Sequence, residues 1–342
     1  MHRVTEDLAP QRWDAYVEAS AAGTPYHRWV WRGIIEKSFG HRCHYLAALD
    51  AQDRVTGVLP LVHMKSALFG NFLVSVPFVN YGGVLCDSEA AREALLARAD
   101  ALRGECGASY VELRHVGHAH PGLPERRHKV TMLLALERDP KAQWDGFDAK
   151  LRNQVRKAEK VGLSCLIGDA EYLDDFYRVF ARNMRDLGTP VYAKRFFQSV
   201  LADLAGSARI VAVKRGETVI AAGILCRYRD SVEMPWASSL AEYRTLCPNN
   251  MMYWEAIKYA IGLGCTSFDF GRSTPDGGTY NFKKQWGAKP VQLHWQYLLD
   301  QGTQPPELDN KNPRYRMAIA LWRRLPVLVT RLAGPHIVRC IP

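Results

Sequence analysis

The sequence predicts a mixed-sheet α/β (α+β) fold made of two similar halves, followed by a basic helical tail. A strand–turn–strand pattern occurs twice, in CHYLAALDAQDRVTGVLPLVHM (43–64) and in ARIVAVKRGETVIAAGILCRY (208–228). Each hairpin is followed by another strand, a helical stretch and a short closing strand, GASYVELR (107–114) or CTSFDFGR (265–272). This order of elements favours a mixed sheet over a doubly wound parallel sheet.

The spacing between the two copies supports an internal duplication. Gly57 and Gly223, which occupy similar places in the hairpins, are 166 residues apart, and Ser109 and Ser267 in the closing strands are 158 apart. The alternative is a chance resemblance between short β-rich strings. The predicted domains are an N-terminal half at 1–145, a C-terminal half at 146–300 and a tail at 301–342.

The junction between the halves is predicted to be a basic amphipathic helix. Its apolar stripe consists of Phe147, Leu151, Val155 and Ala158. Arg152, Arg156 and Lys160 form a basic stripe beside it, and Gly162 ends the helix. Arg152 and Arg156 are therefore candidates for holding the phosphates of a substrate. A second helix is expected over 171–188.

The C-terminal half contains a helix expected over 249–262. Asn249 and Asn250 stand at its predicted start, and Asn is a favourable N-cap residue. A helix start can also hold a phosphate or a carboxylate, so these asparagines either cap the helix or bind an anionic substrate.

The strand predicted over 267–271 carries the first candidate for chemistry. Phe268 and Phe270 alternate with Asp269, so the rings face the core while the carboxylate faces the other side. Gly271 allows something to approach the backbone closely. Asp269, next to Arg272, is either half of an ion pair or a positioned base.

The run TYNFKKQWG is predicted to form a short helix that carries the second candidate. Phe282 and Trp286 are spaced i, i+4 and should anchor the helix, which leaves Tyr280 and Lys283 on another side. A lysine held in this way can stabilise an oxyanion or bind an anionic donor. A solvated lysine is the alternative.

Motifs for several other enzyme classes are missing. The sequence contains no GxxxxGK[ST], GxSxG, HExxH or GxGxxG, which removes the usual support for nucleotide hydrolysis, serine hydrolysis, zinc proteolysis and dinucleotide binding. The eight cysteines stand singly and are expected to be thiols. No metal site is assigned, although two groups of residues could gather around an ion, namely His41, Cys43 and His44, and His115, His118 and His120.

The net charge of +10 is local rather than general. Residues 150–160 carry five basic residues and one acid, which gives +4, and residues 312–342 carry six arginines and no acid, which gives +6. Because the rest of the chain is neutral, we expect two local basic patches that bind anions. We do not expect a generally basic protein that coats nucleic acid, or a DNA partner.

Several motifs together resemble those of FemAB-like proteins, and in particular the FemAB-related group associated with exosortase (PEP-CTERM) systems. The resemblance is carried by LRNQVRKAEKVGL, by PNNMMYWEAIKYAIGLGCTSFDFGRSTPDGGTYNFKKQWGA and by LHWQYLL. It is dense over 145–300 and recurs at NPRYRMAIALWRRLP, whereas the first 140 residues match only in layout.

The resemblance implies a tandem GNAT-type acyltransferase fold and transfer of an acyl or aminoacyl group to an amine. The family's Phe-Lys pair falls on Phe282 and Lys283, and the lysine is implicated there in the transfer step. The implied donor is acyl-CoA or an aminoacyl-tRNA, with no permanently bound cofactor. The acceptor is an amine related to the cell envelope or to exopolysaccharide, lipid-linked in one interpretation.

One segment departs from the GNAT pattern. The glycine-rich loop that usually cradles the CoA pyrophosphate is replaced by Arg244-Thr-Leu-Cys-Pro-Asn-Asn. No glycine-based nest of backbone N–H groups is predicted there, which counts against acetyl-CoA as the donor and leaves the transferase class intact. In the resulting hypothesis Asp269 or water deprotonates the amine, and Lys283 with a backbone N–H stabilises the oxyanion. The rival hypothesis is a non-catalytic scaffold protein of an exopolysaccharide assembly system.

The tail beyond Asn312 combines arginines with apolar residues at helical spacing, namely Met317, Leu321, Leu325, Leu328 and Leu332. We expect a helix that is kinked or broken at Pro326. It either lies on an anionic membrane surface or packs on the domain with its arginines in solvent. Without a signal-peptide pattern or an apolar run long enough to span a bilayer, the expected location is the cytoplasm, with contact at the inner face of the membrane as an option.

Overall fold

A computed structural model describes residues 2–306 and 313–341 of the chain. The chain divides into two compact units. Unit 1 comprises Met1–Val130, Val291–Glu307 and Arg339–Pro342, and unit 2 comprises Thr131–Pro290 and Leu308–Val338. The divisions fall inside two strands, and the expected boundaries at 145/146 and 300/301 stay predictions.

The first part of the chain forms three helices and most of the strands of unit 1. In chain order the elements are β1 (Arg3–Thr5), α1 (Pro10–Ala19), α2 (Val30–Phe39), β2 (Arg42–Leu49), β3 (Val55–Ser66), β4 (Gly70–Val74), β5 (Leu85–Cys86), α3 (Glu89–Glu105), β6 (Val111–Val116) and β7 (Glu125–Ala135).

The rest of the chain forms eight helices and six strands within the described residues. The elements are α4 (Pro140–Asp145), α5 (Ala149–Lys160), β8 (Leu163–Gly168), α6 (Leu173–Leu187), α7 (Lys194–Asp203), β9 (Ala208–Arg215), β10 (Thr218–Tyr228), β11 (Ser231–Ser239), α8 (Pro248–Gly262), β12 (Ser267–Ser273), α9 (Gly278–Lys284), β13 (Lys289–Leu298), α10 (Pro313–Arg324) and α11 (Val327–Val338).

Unit 1 is a mixed sheet with strand order β1–β2–β3–β4–β6–β13, and β5 lies beside β3. The predicted hairpin is β2 and β3, and β4 pairs in parallel with β6. Helix α3 begins at a serine N-cap, where Ser88 Oγ accepts the Ala91 N–H at 3.2 Å. Leucines of this helix and of four strands form the core, namely Leu46, Leu59, Leu73, Leu95 and Leu113.

The closing strand of this half starts later than predicted. The sequence places it at 107–114, whereas β6 covers Val111–Val116. Gly107 has φ +58° and its N–H bonds to Gly104 O, so the first predicted strand residues instead close the end of α3.

Unit 2 has strand order β7–β12–β11–β10–β9–β8. The second predicted hairpin is β9 and β10, and β11 pairs in parallel with β12. The apolar stripe of α5 is buried as predicted, with Leu151, Val155 and Ala158 in its contact face. Hairpin, strand, helix and strand thus recur in both units, so the predicted order of elements is confirmed.

The two hairpin glycines have similar surroundings. A Cβ at Gly57 would lie 3.0 Å from the Cβ of Cys86, and a Cβ at Gly223 would lie 2.6 Å from Met234 Sδ. Both glycines therefore allow a neighbouring strand to approach closely. Their shared role supports the duplication.

The tail is broken at Pro326 as predicted and packs on α6. Arg323 Nη2 donates to Leu187 O at 3.2 Å, and the Arg331 guanidinium lies 5.2 Å from the centre of the Tyr177 ring. One face of the tail is therefore a packed face. Among the helices of residues 2–306 and 313–341, none is both long enough and apolar enough to cross a membrane.

Candidate active site

The candidate site lies where the parallel strands β11 and β12 end their pairing. Their register joins Ser231 to Ser267 and Glu233 to Asp269. Opposite residues of a strand pair project to the same face, so the carboxylates of Glu233 and Asp269 stand side by side. Both residues are buried, with 4% exposure for Glu233 and 2% for Asp269. Helix α8 connects the strands, and β11 continues to Ser239 after its pairing with β12 ends at Glu233.

Asp269 is held by two donors. The Thr131 hydroxyl donates to Oδ1 at 2.6 Å, and the Gly271 N–H donates to the same oxygen at 2.7 Å. Phe268 and Phe270 are buried, as the alternation predicts. The carboxylate is therefore oriented by its neighbours rather than free to rotate.

Gly271 has the close backbone contact that its position predicts. Its φ is +73°, a conformation that favours glycine. Its carbonyl oxygen accepts a hydrogen bond from Lys283 Nζ at 2.8 Å, and the carbonyl of Arg272 accepts a second at 3.0 Å. The strand end and the lysine are thus joined through the main chain.

Lys283 is buried, with 7% exposure, so the solvated alternative is wrong. The predicted anchors explain its position, because Trp286 is 1% exposed and its ring lies 6.3 Å from that of Phe282. Burial lowers the pKa of Lys283 to about 8, although the charges of Asp269 and Glu233 act in the opposite direction. Such a lysine is a cation at neutral pH that releases its proton easily.

Tyr280 lies half-buried in α9, before the anchoring residues of that helix. Phe282 is also half-buried, and its ring lies 5.2 Å from that of Tyr253 on α8. The aromatic contacts therefore fix α9 on α8.

The expectation that Asn249 and Asn250 cap α8 is wrong. The N-cap is Cys247, with φ +58°, Pro248 is the first helical residue, and the cap side chain bonds to no N–H of the first turn. Pro is well suited to this first position, so the helix starts earlier than the asparagines suggest. Asn250 Nδ2 instead donates to Gln154 Oε1 of α5 at 3.1 Å.

The basic stripe of α5 lies on the helix that this bond joins to the start of α8. Arg152 is half-buried, and Arg156 is exposed with its guanidinium 5.6 Å from the centre of the Trp144 ring. The basic stripe of α5 therefore lies near the first turn of α8. Within residues 2–306 and 313–341, no hydrogen bond or ion pair joins Arg152 or Arg156 to Lys283.

Sequence reasoning missed Glu233 and Thr131. Glu233 stands between the buried residues Val232 and Met234, and a charged residue inside an apolar strand is the signal that could have identified it. Thr131 belongs to β7, which no motif predicted. Both reach the site through strand pairing rather than through proximity in the sequence.

The corresponding place in unit 1 is a closed ion pair. The parallel pairing of β4 with β6 joins Val74 to Glu112, and Arg114 Nη2 lies 2.7 Å from Glu112 Oε1. Tyr297 donates to the other carboxylate oxygen at 3.1 Å, and the Arg114 guanidinium lies 4.3 Å from the centre of the Trp295 ring. Because an always-charged arginine neutralises this carboxylate, unit 2 is the better candidate for proton transfer.

Comparisons with known proteins agree with the fold. A model of the acetyltransferase (GNAT) domain matches residues 146–284. The solved structure of FemX has 17% sequence identity and a TM-score of 0.68, over 87% of this chain and 98% of that chain. A tandem GNAT protein from the clavulanic acid biosynthesis pathway has 12% identity and a TM-score of 0.58, over 87% and 97%.

A further similar structure is that of L-PGS from Bacillus licheniformis, with 12% identity and a TM-score of 0.55 over 95% of this chain and 97% of that chain. No curated protein sequence matches the chain. The tandem GNAT-like fold expected from the FemAB-like resemblance is thus confirmed, with helices at the C-terminal end.

Proposed function

We propose that the chain is an acyltransferase that moves an acyl or aminoacyl group to an amine, with unit 2 carrying the chemistry. The observation that supports this most is Lys283, a buried cation beside Asp269 and Glu233, where the parallel pairing of β11 with β12 ends. A preorganised cation in a water-poor site can stabilise an oxyanion strongly. The acetyltransferase domain match over 146–284 supports the same reaction class.

In the proposed reaction, Asp269 or water removes a proton from the acceptor amine, which attacks the donor carbonyl carbon. A C–N bond forms, and the bond from that carbon to the sulfur of CoA or to the ribose oxygen of tRNA breaks. The leaving group takes up the proton. Lys283 stabilises the negative charge that develops on the carbonyl oxygen in between.

Substrate phosphates are assigned to the surface formed by α5 and the start of α8. Arg152 and Arg156 supply positive charge, and Asn249 and Asn250 lie in the first turn of α8. Arg272, Tyr280 and Phe282 are proposed to line the site on the side of α9. The donor is acyl-CoA or an aminoacyl-tRNA, and nothing in the proposal requires a resident cofactor.

The proposed acceptor is an amine of the cell envelope or of exopolysaccharide, in keeping with the exosortase-associated FemAB-related group. The proposed location is the cytoplasm, at the inner face of the membrane. The observation that favours this face is the tail. Nine large apolar side chains are exposed in the described residues, and six of them belong to α10 and α11: Met317, Ile319, Leu321, Leu328, Val329 and Leu332.

The tail is proposed to lie on an anionic lipid bilayer. Leu321 is 63% exposed and Leu328 67% exposed, beside arginines and with no acidic residue after Asn312. Each basic residue near an anionic surface contributes roughly 1 kcal/mol, which complements the insertion of leucines. A double variant, Leu321→Asn with Leu328→Asn, should lose sedimentation with phosphatidylglycerol vesicles. Leu68→Asn is the matched control, since Leu68 is 88% exposed and lies outside the tail. Equal sedimentation of all three proteins would contradict the contact.

A binding and turnover experiment separates the enzyme from the scaffold. Thermal shifts are measured with acetyl-CoA, a longer acyl-CoA and a charged tRNA, and release of CoA or of free tRNA is then followed with a panel of amines. An enzyme shows both a shift and amine-dependent release, and Lys283→Met lowers the rate of that release by about 10²–10³. Binding without release in the presence of every amine would favour the scaffold.

A further inference from the structure

Three potential metal ligands meet in unit 1. The donor atoms of His44, His63 and Cys106 all lie within 4.8 Å of one another. The register of β2 with β3 pairs Arg42 with His63 and His44 with Leu61, so both histidines project from the same sheet face. Cys106 stands at the end of α3, which packs on these two strands.

The hydrogen bonds of His44 determine which ring nitrogen is available. Its Nδ1 lies 2.9 Å from Glu6 Oε2, and Arg98 donates to the other oxygen of Glu6 at 3.3 Å. An ionised carboxylate can only accept a hydrogen bond, so Nδ1 carries the proton and Nε2 carries the lone pair. His44 is 3% exposed, and its Nε2 has no hydrogen-bond partner in the part of the chain that the structure describes.

The hydrogen bonds of His63 lead to the same conclusion. The Asn71 amide donates from Nδ2 to the carbonyl oxygens of Cys106 at 2.9 Å and Gly107 at 2.8 Å. Its Oδ1 must therefore accept, and it lies 2.6 Å from His63 Nε2. His63 Nε2 thus carries the proton, which leaves the lone pair on Nδ1.

We propose that His44 Nε2, His63 Nδ1 and Cys106 Sγ bind one Zn²⁺ ion, with a fourth position left to water or another ligand. Zinc bonds nitrogen at about 2.0–2.1 Å and sulfur at about 2.3 Å in tetrahedral sites, so donor atoms this close can converge through small side-chain rotations. Binding breaks the S–H bond of Cys106 and releases its proton to solvent, because the thiolate is the ligand.

The surroundings resemble a metal site in one more respect. Ligand histidines usually donate their other N–H to a carboxylate or an amide oxygen, as His44 does to Glu6 and His63 does to Asn71. The ion would join β2, β3 and the end of α3, and so stabilise the core of unit 1. The groups that the sequence suggested are different, since His41 instead bonds to Arg339 O at 2.6 Å.

The test uses the full chain without a histidine tag, in reducing buffer. Zn²⁺ binding is measured by competition with a chromophoric chelator, and Co²⁺ is added separately to reveal thiolate ligation by its charge-transfer absorption. We expect one ion per chain, a cobalt–thiolate band, and loss of both in Cys106→Ser. Cys86→Ser is the matched control, since Cys86 is also a half-buried thiol of unit 1.

A second variant keeps the proposal testable even where Cys106→Ser fails to fold. Glu6→Gln leaves all three ligands in place and should weaken Zn²⁺ binding by roughly 10–100-fold, as loss of a partner of a ligand histidine does. Failure of the wild-type chain to bind an equivalent of Zn²⁺, or a cobalt spectrum without the thiolate band, would overturn the proposal. So would unchanged affinity in folded Cys106→Ser.

Discussion

Replacing Lys283 with Met tests the proposed site most directly, because it removes the charge and keeps most of the side-chain volume. The pKa of Lys283 falls from its ordinary value of 10.5 to about 8 because of burial. One pKa unit corresponds to about 1.4 kcal/mol, so the positive charge is less favourable by roughly 3 kcal/mol in the folded chain. Lys283→Met removes this cost. The stability gained in this way offsets much of the stability lost with the hydrogen bonds to the carbonyl oxygens of Gly271 and Arg272. We expect the free energy of unfolding to change by less than about 2 kcal/mol.

The same pKa determines how stability should depend on pH. Between about pH 8 and 10.5 the unfolded chain binds more protons at Lys283 than the folded chain does. The free energy of unfolding should therefore rise with pH over this window in the wild-type protein. Urea denaturation at several pH values should show this rise, and Lys283→Met should lack it.

Turnover should respond far more strongly than stability. Loss of one donor that stabilises an oxyanion costs on the order of 10²–10³ in kcat. Because the protonated lysine is the stabilising form, wild-type activity should fall as pH rises through about 8. The assay is amine-dependent release of CoA or tRNA, with the exposed neighbour Lys284→Met as the matched control. Wild-type turnover in a folded Lys283→Met protein would show that Lys283 takes no part in the reaction. Wild-type activity that rises with pH through about 8 would show that the deprotonated lysine, and not the cation, is the active form.

Three further changes test the site and its support. Thr131→Val removes the hydroxyl that donates to Asp269, so it should lower the free energy of unfolding by about 1–3 kcal/mol in urea denaturation and reduce kcat. An unchanged denaturation midpoint together with an unchanged kcat would contradict this contact. Arg156→Gln should raise KM for the donor and leave kcat unchanged, and an unchanged KM would remove this exposed arginine from phosphate binding. Gly223→Ala places a Cβ 2.6 Å from Met234 Sδ and should lower the free energy of unfolding by about 1–3 kcal/mol. A denaturation midpoint equal to that of the wild-type protein would refute this prediction.

The sequence predicts local elements well because their periodicity is local. The hairpins at 43–64 and 208–228, the helix over 249–262 and the strand through 267–271 all form within a few residues of the predicted bounds. The α5 stripe is also buried as expected. What the sequence could not show is which strands pair across long separations, because alternation specifies a face but not a neighbour.

The same limit applies to the candidate site. Asp269 and Lys283 are identifiable because alternation and i, i+4 spacing orient them. Glu233 and Thr131 come from other strands, and only the pairing of those strands brings them to Asp269. The sequence predicts Asn249 or Asn250 as the cap of α8 because asparagine is a favourable cap residue. The helix instead starts one residue earlier, at Pro248.

The discontinuity of unit 1 has a consequence for synthesis on the ribosome. Chains usually fold from the N-terminus as they emerge, domain by domain. Here β6 needs β13 as its neighbour, through the register that joins Val111 to Leu298, and His41 bonds to Arg339 O near the chain end. Unit 1 therefore cannot be completed until β13 and Arg339 have emerged, and its apolar sheet edge must wait for its partner strand.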